Sequence, residues 1–179
     1  MQRKKLLLFA LLTVFSISFV SIANAATEDN LSNEQIENIE ANCASIKRTL
    51  KTVQNTDRNT RVSLGRSFQT ISEDFITPLN VRLVKNNDFS NNLADIQNEY
   101  AEAREEFNRK YIEYSQELES LISTECKDNA RGFYAKLEST RNKRTEVLKD
   151  AKKLQEIVEK HIQSVGELKN SYKKVEDER

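Results

Sequence analysis

The chain has 179 residues, of which 28 are basic and 28 acidic, with only three glycines, one proline and no tryptophan. This composition, with 31% charged residues, is typical of long helices and disfavours a sheet-rich fold. Three basic residues precede residue 26, so the remainder has 28 − 3 = 25 basic and 28 acidic side chains. A net charge near −3 disfavours non-specific nucleic-acid binding.

The N-terminus is typical of an export signal. A basic segment at residues 3–5 precedes an apolar stretch at residues 6–22, and Ala23 and Ala25 supply the small side chains of a cleavage site. We therefore expect residues 1–25 to be a signal peptide. An uncleaved membrane anchor is the alternative, since a stretch of about 17 residues is at the lower limit for crossing a bilayer.

A first helix is predicted over about 33–84, after a flexible segment at 26–32. Ser32 and Gln35 have the spacing of a capping box, which starts the helix at the residue after Ser32. Pro78 disfavours helical geometry at the residue before it, so we expect a kink there. Apolar residues recur at alternating spacings of three and four, as in a coiled coil, at Ile36, Ile39, Cys43, Ile46, Leu50, Val53, Leu64, Phe68, Ile71, Phe75 and Leu79.

Two further helices are predicted over about 89–125 and 130–177 by the same spacing. We call each such line of regularly spaced residues a seam, and the set given above for the first helix is the first seam. The second seam consists of Phe89, Leu93, Ile96, Tyr100, Ala103, Phe107, Tyr111, Tyr114, Leu118, Leu121 and Cys126. The third consists of Phe133, Leu137, Arg141, Arg144, Leu148, Ala151, Leu154, Val158, His161, Val165, Leu168, Tyr172 and Val175. Short connections make successive helices antiparallel. The sequence therefore predicts an all-α fold over 33–179, an elongated antiparallel three-helix coiled-coil bundle.

The two cysteines, Cys43 and Cys126, lie almost symmetrically about the polar run at 85–88. A chain that folds back at this run brings them together, and export favours their oxidation. We therefore predict a disulfide. A reactive thiol or a metal site is the alternative, but metal sites need about four clustered ligands, so no metal or cofactor is expected.

Polar residues interrupt the predicted core at one level. Asp57 and Thr60 occupy the first seam, Arg141 and Arg144 the third, and Arg61 is expected close by. A buried carboxylate paired with guanidinium groups specifies helix register at some cost in stability. A ligand pocket is the alternative interpretation. Catalysis is disfavoured because no nucleophile–base pair is predicted at this level.

The remaining charged residues suggest little chemistry. His161, the single histidine, is expected to be a partly buried structural residue on the third seam. An ion pair with Asp74 that strengthens at mildly acidic pH is the alternative. The charge runs at 102–110 and 149–153 are predicted to be solvated helix faces. Phosphate-binding loops and hydrolase or metalloprotease motifs are absent from the sequence, so we expect no enzyme.

Two segments, 57–66 (DRNTRVSLGR) and 78–83 (PLNVRL), carry a resemblance, together with residues 43–47 and 126–134. They resemble uncharacterised exported helical proteins of candidate-phyla-radiation bacteria, Saccharibacteria in particular. The resemblance covers most of the chain after residue 25. It implies an extracytoplasmic location and carries no activity to this chain.

Three functions are compatible with these features. The first is a non-enzymatic exported coiled-coil protein, secreted, periplasmic or on the cell surface, that binds another protein or organises the cell envelope. The second is a holdase similar to the Skp family, although the basic charge excess of that family is missing. The third is an adhesin that acts on a host cell. Self-association is open, and an exposed apolar stripe at 81–84 or near Ile112 would favour partner binding.

Overall fold

A computed structural model describes residues 31–88 and 90–177, with side chains up to residue 174. The predicted all-α bundle of three helical rods is confirmed, and no strand occurs among the described residues. The elements in chain order are α1 (Asn33–Thr70), a π-helical segment (Ile71–Ile76), α2 (Thr77–Lys85), α3 (Asn91–Ser123) and α4 (Ala130–Asp177). These bounds lie within a few residues of the predicted ones.

Several predictions concern residues outside the described part of the chain. These are the signal peptide with its cleavage residues Ala23 and Ala25, most of the segment at 26–32, and the seam side chains Phe89 and Val175. They stay predictions. None of the helices within 31–88 and 90–177 combines the length and the apolar character needed to cross a membrane.

The rods pack antiparallel, and side-chain contacts define their register. α1, the π-helical segment and α2 follow one another directly and form the first rod (residues 33–85). Cys43 of this rod is bonded to Cys126, whereas the Asn80 amide donates to the Leu93 carbonyl (3.0 Å). Residue numbers therefore rise along the first rod in the direction in which they fall along α3, so the two are antiparallel. The same relation holds between α3 and α4, as shown by the contacts Ser120–Lys136, Lys110–Asp150 and Asn92–Ser164.

This register defines two ends of the bundle. The disulfide end contains the Cys43–Cys126 bond and the loop between α3 and α4. The turn end comprises residues 71–99 and 160–174, because the Lys160 ammonium reaches the Glu99 carboxylate at 2.9 Å. The loop between α2 and α3 lies at the turn end.

Side-chain caps define where the helices begin. The predicted capping box is confirmed: the Ser32 hydroxyl accepts from the Gln35 N–H (3.2 Å), and the Gln35 side chain accepts from the Ser32 N–H (2.9 Å). The Ser90 hydroxyl accepts from the backbone N–H three residues later, at the start of α3. The Asn129 carboxamide does the same before α4 (3.0 Å). Each cap satisfies an N–H that the first helical turn leaves without a partner.

The first rod ends in a Schellman motif. The Asp88 N–H donates to the Leu83 carbonyl (2.9 Å), and the Asn87 N–H donates to the Val84 carbonyl (3.2 Å). Asn87 has a φ of 55°, in the left-handed region that asparagine tolerates better than most residues. The polar run at 85–88 therefore forms the reversal between the first rod and α3.

The first rod leaves α-helical geometry just before Pro78, in the π-helical segment, but it does not break at the proline. Thr77 keeps helical angles (φ −63°, ψ −47°), and its N–H donates to the Ser72 carbonyl five residues back. A helical proline crowds the carbonyl four residues earlier, which here belongs to Asp74 inside the π-helical segment. The wider turn of this segment therefore accommodates Pro78 without a break in the rod.

The π-helical segment also changes which side chain enters the core. Phe75, predicted on the seam, is 62% exposed, whereas its neighbour Ile76 is 1% exposed. Because a π turn contains an additional residue, it displaces the buried face by one position. Leu79 and Leu83 continue that displaced face toward the turn end.

The buried face of α4 also departs from the predicted seam, between residues 140 and 148. Thr140 and Val147 are buried, at 4% and 8% exposure, whereas Leu148 is 47% exposed. Spacings of three and four fit both the predicted set, with Arg141 and Leu148, and the observed set, with Thr140 and Val147. The apolar side chain of Leu148 favoured the predicted set, which is wrong here. The Thr140 hydroxyl donates to the Lys136 carbonyl (2.7 Å), so its burial leaves no polar group unpaired.

The core draws unequally on the three rods. Eight of the 33 residues of α3 are buried, whereas α1, with 38 residues, contributes only Cys43 and Phe68. The other apolar seam residues of α1 are only partly buried. α1 therefore gains less from hydrophobic burial than α3 and relies more on specific links to the other rods.

Candidate functional site

The predicted disulfide between Cys43 and Cys126 is present. It joins α1 to the loop between α3 and α4, with the two Cα atoms 5.6 Å apart. Both residues are buried, at 4% and 0% exposure. The bond therefore attaches the least buried helix to the rest of the bundle across 83 residues of sequence.

The Glu125 carboxylate organises the loop beside the disulfide. Its Oε1 accepts the backbone N–H groups of Cys126 (3.0 Å) and Lys127 (3.1 Å). The Lys127 N–H first, and then the charge of Lys47, lower the pKa of Glu125. Glu125 and the two sulfurs resemble a set of metal ligands. However, cysteine binds metal as a thiolate, and a disulfide sulfur is not one.

The polar residues predicted to interrupt the core, here called the polar layer, are centred on Asp57 of α1. Its Oδ2 accepts from the Tyr114 hydroxyl (2.6 Å) and the Arg144 Nε (2.8 Å), while Oδ1 accepts from the Arg144 Nη2 (3.0 Å). The Asp57 side chain is 11% exposed and that of Arg144 30%. One carboxylate thus connects all three rods through charge-assisted hydrogen bonds.

These contacts keep the groups around Asp57 in fixed protonation states. Burial, followed by the hydrogen bond to Asp57, raises the pKa of Tyr114 far above its ordinary value. The same carboxylate raises the pKa of Arg144, against the opposing effect of burial. The neutral Tyr114 hydroxyl and the charged Arg144 guanidinium are therefore the favoured forms at physiological pH, and both donate hydrogen bonds to Asp57.

Three other residues predicted for this layer occupy different surroundings. The predicted burial of Arg141 is wrong. Its side chain is 59% exposed and pairs with Glu138 on its own helix, because the buried face of α4 passes through Thr140 instead. Thr60 is partly buried. The remaining residue, Arg61, forms neither a hydrogen bond nor an ion pair with Asp57.

Arg61 instead contacts two residues of α3. Its Nη2 donates to the Asn108 Oδ1 (3.3 Å), and its guanidinium lies 5.5 Å from the centre of the Tyr111 ring. Its Nε is buried and has no hydrogen-bond acceptor among the described residues. Asn108 was not predicted, since a polar residue beside a seam has no distinguishing sequence signal.

A second charged cluster was missed because two of its residues, Lys110 and Asp150, belong to runs predicted as solvated faces. The Lys110 ammonium of α3 lies 3.3 Å from an Asp150 oxygen and 3.5 Å from a Glu146 oxygen, both on α4. Burial acts to lower the pKa of Lys110, but the hydrogen bond and charge of Asp150 outweigh it and raise the pKa. Asp150 is only 9% exposed, so this pair lies between the helices.

Tyr100 is another polar contact that the heptad pattern treated as purely apolar. The residue is 1% exposed, and its hydroxyl donates to the Phe68 carbonyl (3.1 Å) shortly before the π-helical segment. Burial raises the pKa of Tyr100 to about 12. This hydrogen bond joins α3 to the first rod where the latter leaves α-helical geometry.

His161 is buried, as its seam position predicts, and it does not form the alternative ion pair with Asp74. It is 7% exposed, and its Nε2 has no hydrogen-bond partner in the described part of the chain. Asp74 is exposed, because the π-helical segment turns it toward solvent. Burial lowers the pKa of His161, so the neutral imidazole is favoured at mildly acidic pH, the reverse of the effect of such an ion pair.

Exposed apolar side chains are concentrated at the turn end. Among the described residues, eight large ones are substantially exposed, and none of these lies beside the disulfide. Those at the turn end are 46–63% exposed: Phe75, Val81, Val84, Ile162 and Tyr172. The others, nearer the middle, are Val62, Ile112 and Leu148. Within the segment 81–84 that the sequence singled out, Val81 and Val84 are thus solvent-accessible, whereas Leu83 is buried.

The chain matches no protein-family model, no curated protein sequence and no solved structure. These comparisons do not bear on the resemblance to exported proteins of candidate-phyla-radiation bacteria, which stays a prediction. Functional inference therefore depends on the side chains of the bundle itself.

Proposed function

We propose that the protein is a non-enzymatic, extracytoplasmic binding protein whose turn end docks another protein. The exposed apolar side chains at that end carry the proposal. Val81 and Val84, 46% and 55% exposed, lie three residues apart and therefore on one face of α2. Single exposed apolar residues are common on proteins, but their accumulation at one end of a bundle is typical of an interaction surface.

The charges beside these valines indicate the chemistry of the partner. Arg82 and Lys85 lie in the last turn of α2, are exposed, and form no ion pair among the described residues. Protein interfaces commonly combine an apolar centre with a polar rim. The partner surface that fits this end offers apolar side chains bordered by carboxylates.

The disulfide and the hydrogen bonds of Asp57 support a scaffold role for the rest of the bundle. A fully buried disulfide is typical of proteins that fold in an oxidising compartment, which supports the extracytoplasmic location. The Asp57 carboxylate accepts three hydrogen bonds from Tyr114 and Arg144, so it is poorly suited to act as a base. Its connections instead suit a role in helix register.

A pair of serine variants tests the proposal. Val81→Ser/Val84→Ser removes the apolar stripe, and Val62→Ser is the matched control, because Val62 is 40% exposed on the same rod but away from the turn end. Chemical cross-linking in the source cells should produce an adduct of defined mass with the unaltered protein. We expect the double variant to reduce that adduct by about tenfold or more and the control to retain it. An adduct of equal yield from all three proteins would contradict docking at the turn end.

A holdase would also use exposed apolar side chains, and its behaviour differs. It would suppress the aggregation of several unrelated unfolded proteins and would yield a range of adducts instead of a defined one. Suppression of aggregation that is lost in Val81→Ser/Val84→Ser would move the assignment to a holdase with the same working end.

A further inference from the structure

A cleft of about 300 Å³ opens between α1 and α3, near the middle of the bundle and away from the turn end. Phe68 and Phe107, which meet edge to face at 5.5 Å between ring centres, contribute its apolar lining. Gly65 lines it on the α1 side, where an added Cβ would meet no atom within 4 Å. The missing side chain at this glycine therefore helps to keep the cleft open.

The cleft is strongly basic. Arg61, Arg66 and Arg104 all line it, and no carboxylate does. None of these three arginines forms an ion pair within 31–88 and 90–174, whereas Arg109 and Arg144 of the same bundle do. Three guanidinium groups around one cleft with no carboxylate partner provide a favourable electrostatic environment for a bound anion.

The neutral polar residues of the cleft add fixed hydrogen-bonding groups. The Asn108 Oδ1 accepts from the Arg61 guanidinium, and Gln69, whose Nε2 donates to the exposed Glu73 carboxylate (3.0 Å), contributes a second carboxamide to the lining. The buried Nε of Arg61 still has no acceptor among the described residues. Each guanidinium group carries several N–H donors, and the oxygen atoms of an anion in the cleft are suitable acceptors for them.

We propose that this cleft binds a phosphate group through Arg61, Arg66 and Arg104. A single carboxylate needs only one guanidinium, whereas a phosphate dianion has enough oxygen atoms to accept from several arginines at once. The volume suits a small ligand, not a polymer. Inorganic phosphate and the phosphate of an organic monoester share this chemistry, and either one fits.

Phosphate binding is measured by calorimetry on the exported protein with its disulfide intact, at constant ionic strength. Inorganic phosphate and glycerol 1-phosphate are the two probes, and we expect saturable binding of at least one at about 1 mM or tighter. Equal affinity for both probes would mean that the cleft recognises the phosphate group alone. Tighter binding of glycerol 1-phosphate would identify an organic phosphate monoester as the class of ligand. No saturable binding of either probe overturns the proposal.

Three variants separate a built site from general attraction to positive charge. Arg104→Gln should weaken binding by about tenfold, whereas Arg109→Gln, on the same helix but outside the cleft, should change it by less than about twofold. Gly65→Leu should weaken binding without any change of charge, because its side chain enters the cleft. Equal losses for Arg104→Gln and Arg109→Gln would refute the site. Circular dichroism confirms that each variant remains folded.

Discussion

The Asp57 carboxylate receives two parallel hydrogen bonds from the Arg144 guanidinium, Nε to Oδ2 at 2.8 Å and Nη2 to Oδ1 at 3.0 Å. The two residues are 87 positions apart, on α1 and α4. Because α1 buries only two of its residues, this bidentate pair is one of few specific links that define how α1 lies against the other helices.

Removing the carboxylate should destabilise the fold. Asp57→Ala leaves the Arg144 charge half-buried without its partner, and we expect the free energy of unfolding to fall by about 2–4 kcal/mol. The matched control is Arg141→Ala, three residues from Arg144 but 59% exposed, which should cost less than about 0.5 kcal/mol. Urea unfolding measures both. Equal losses at the two positions would mean that the pair contributes nothing beyond a surface charge.

Breaking the disulfide should lower stability and loosen α1 in particular. Loop-closure entropy gives a loss of up to about 4.5 kcal/mol for a separation of 83 residues, or up to about 15 °C in melting temperature. Thermal unfolding of Cys43→Ala/Cys126→Ala measures this. Hydrogen exchange should show the largest loss of protection in α1, since its apolar residues are only partly buried. An unchanged melting temperature, or uniform exchange throughout the bundle, would contradict this role.

Two neighbouring residues test the displaced core of the π-helical segment. Ile76→Ala should cost about 2–4 kcal/mol, because Ile76 is 1% exposed, whereas Phe75→Ala should cost less than about 0.5 kcal/mol at 62% exposure. Chemical denaturation of the two variants gives the comparison. A larger loss of unfolding free energy for Phe75→Ala than for Ile76→Ala would contradict the displaced face and support the uninterrupted heptad pattern of the sequence.

Stability should fall in mild acid because of His161. Burial lowers its pKa in the folded protein, so the unfolded chain binds a proton at higher pH than the folded one. Its contribution is complete above an unfolded pKa of about 6.5 and is lost as the pH falls toward the lower folded value. Melting temperatures at about pH 7.5 and 5.5 should differ less in His161→Gln than in the unaltered protein. Identical pH dependence would exclude His161 as the cause.

The helical rods and the disulfide were predictable from the sequence because each has a strong local signal. Alternating three- and four-residue spacings define long amphipathic helices. Ser32 with Gln35 defines the first N-terminus, and the symmetry of Cys43 and Cys126 about 85–88 defines the register of the hairpin. These features depend on residues that act over a few positions or on a single covalent pair.

The phase of the buried face was less predictable, for physical reasons. A π turn displaces the face by one residue, and the heptad pattern has no signal for it other than the nearby Pro78. In α4, Thr140 and Arg141 are both compatible with the spacing, and only packing against α3 decides between them. Side-chain contacts such as Arg61–Asn108 depend on that phase, so they were missed as well.

Site-specific photo-crosslinking tests the docking claim most directly. A photoreactive phenylalanine analogue is introduced at Val84, 55% exposed at the turn end, or at Lys51, an exposed residue toward the disulfide end of the same rod. We predict that irradiation of intact cells yields an adduct with one polypeptide from position 84 and none from position 51. Absence of an adduct at position 84, or the same adducts at both positions, would contradict a protein-binding surface at the turn end.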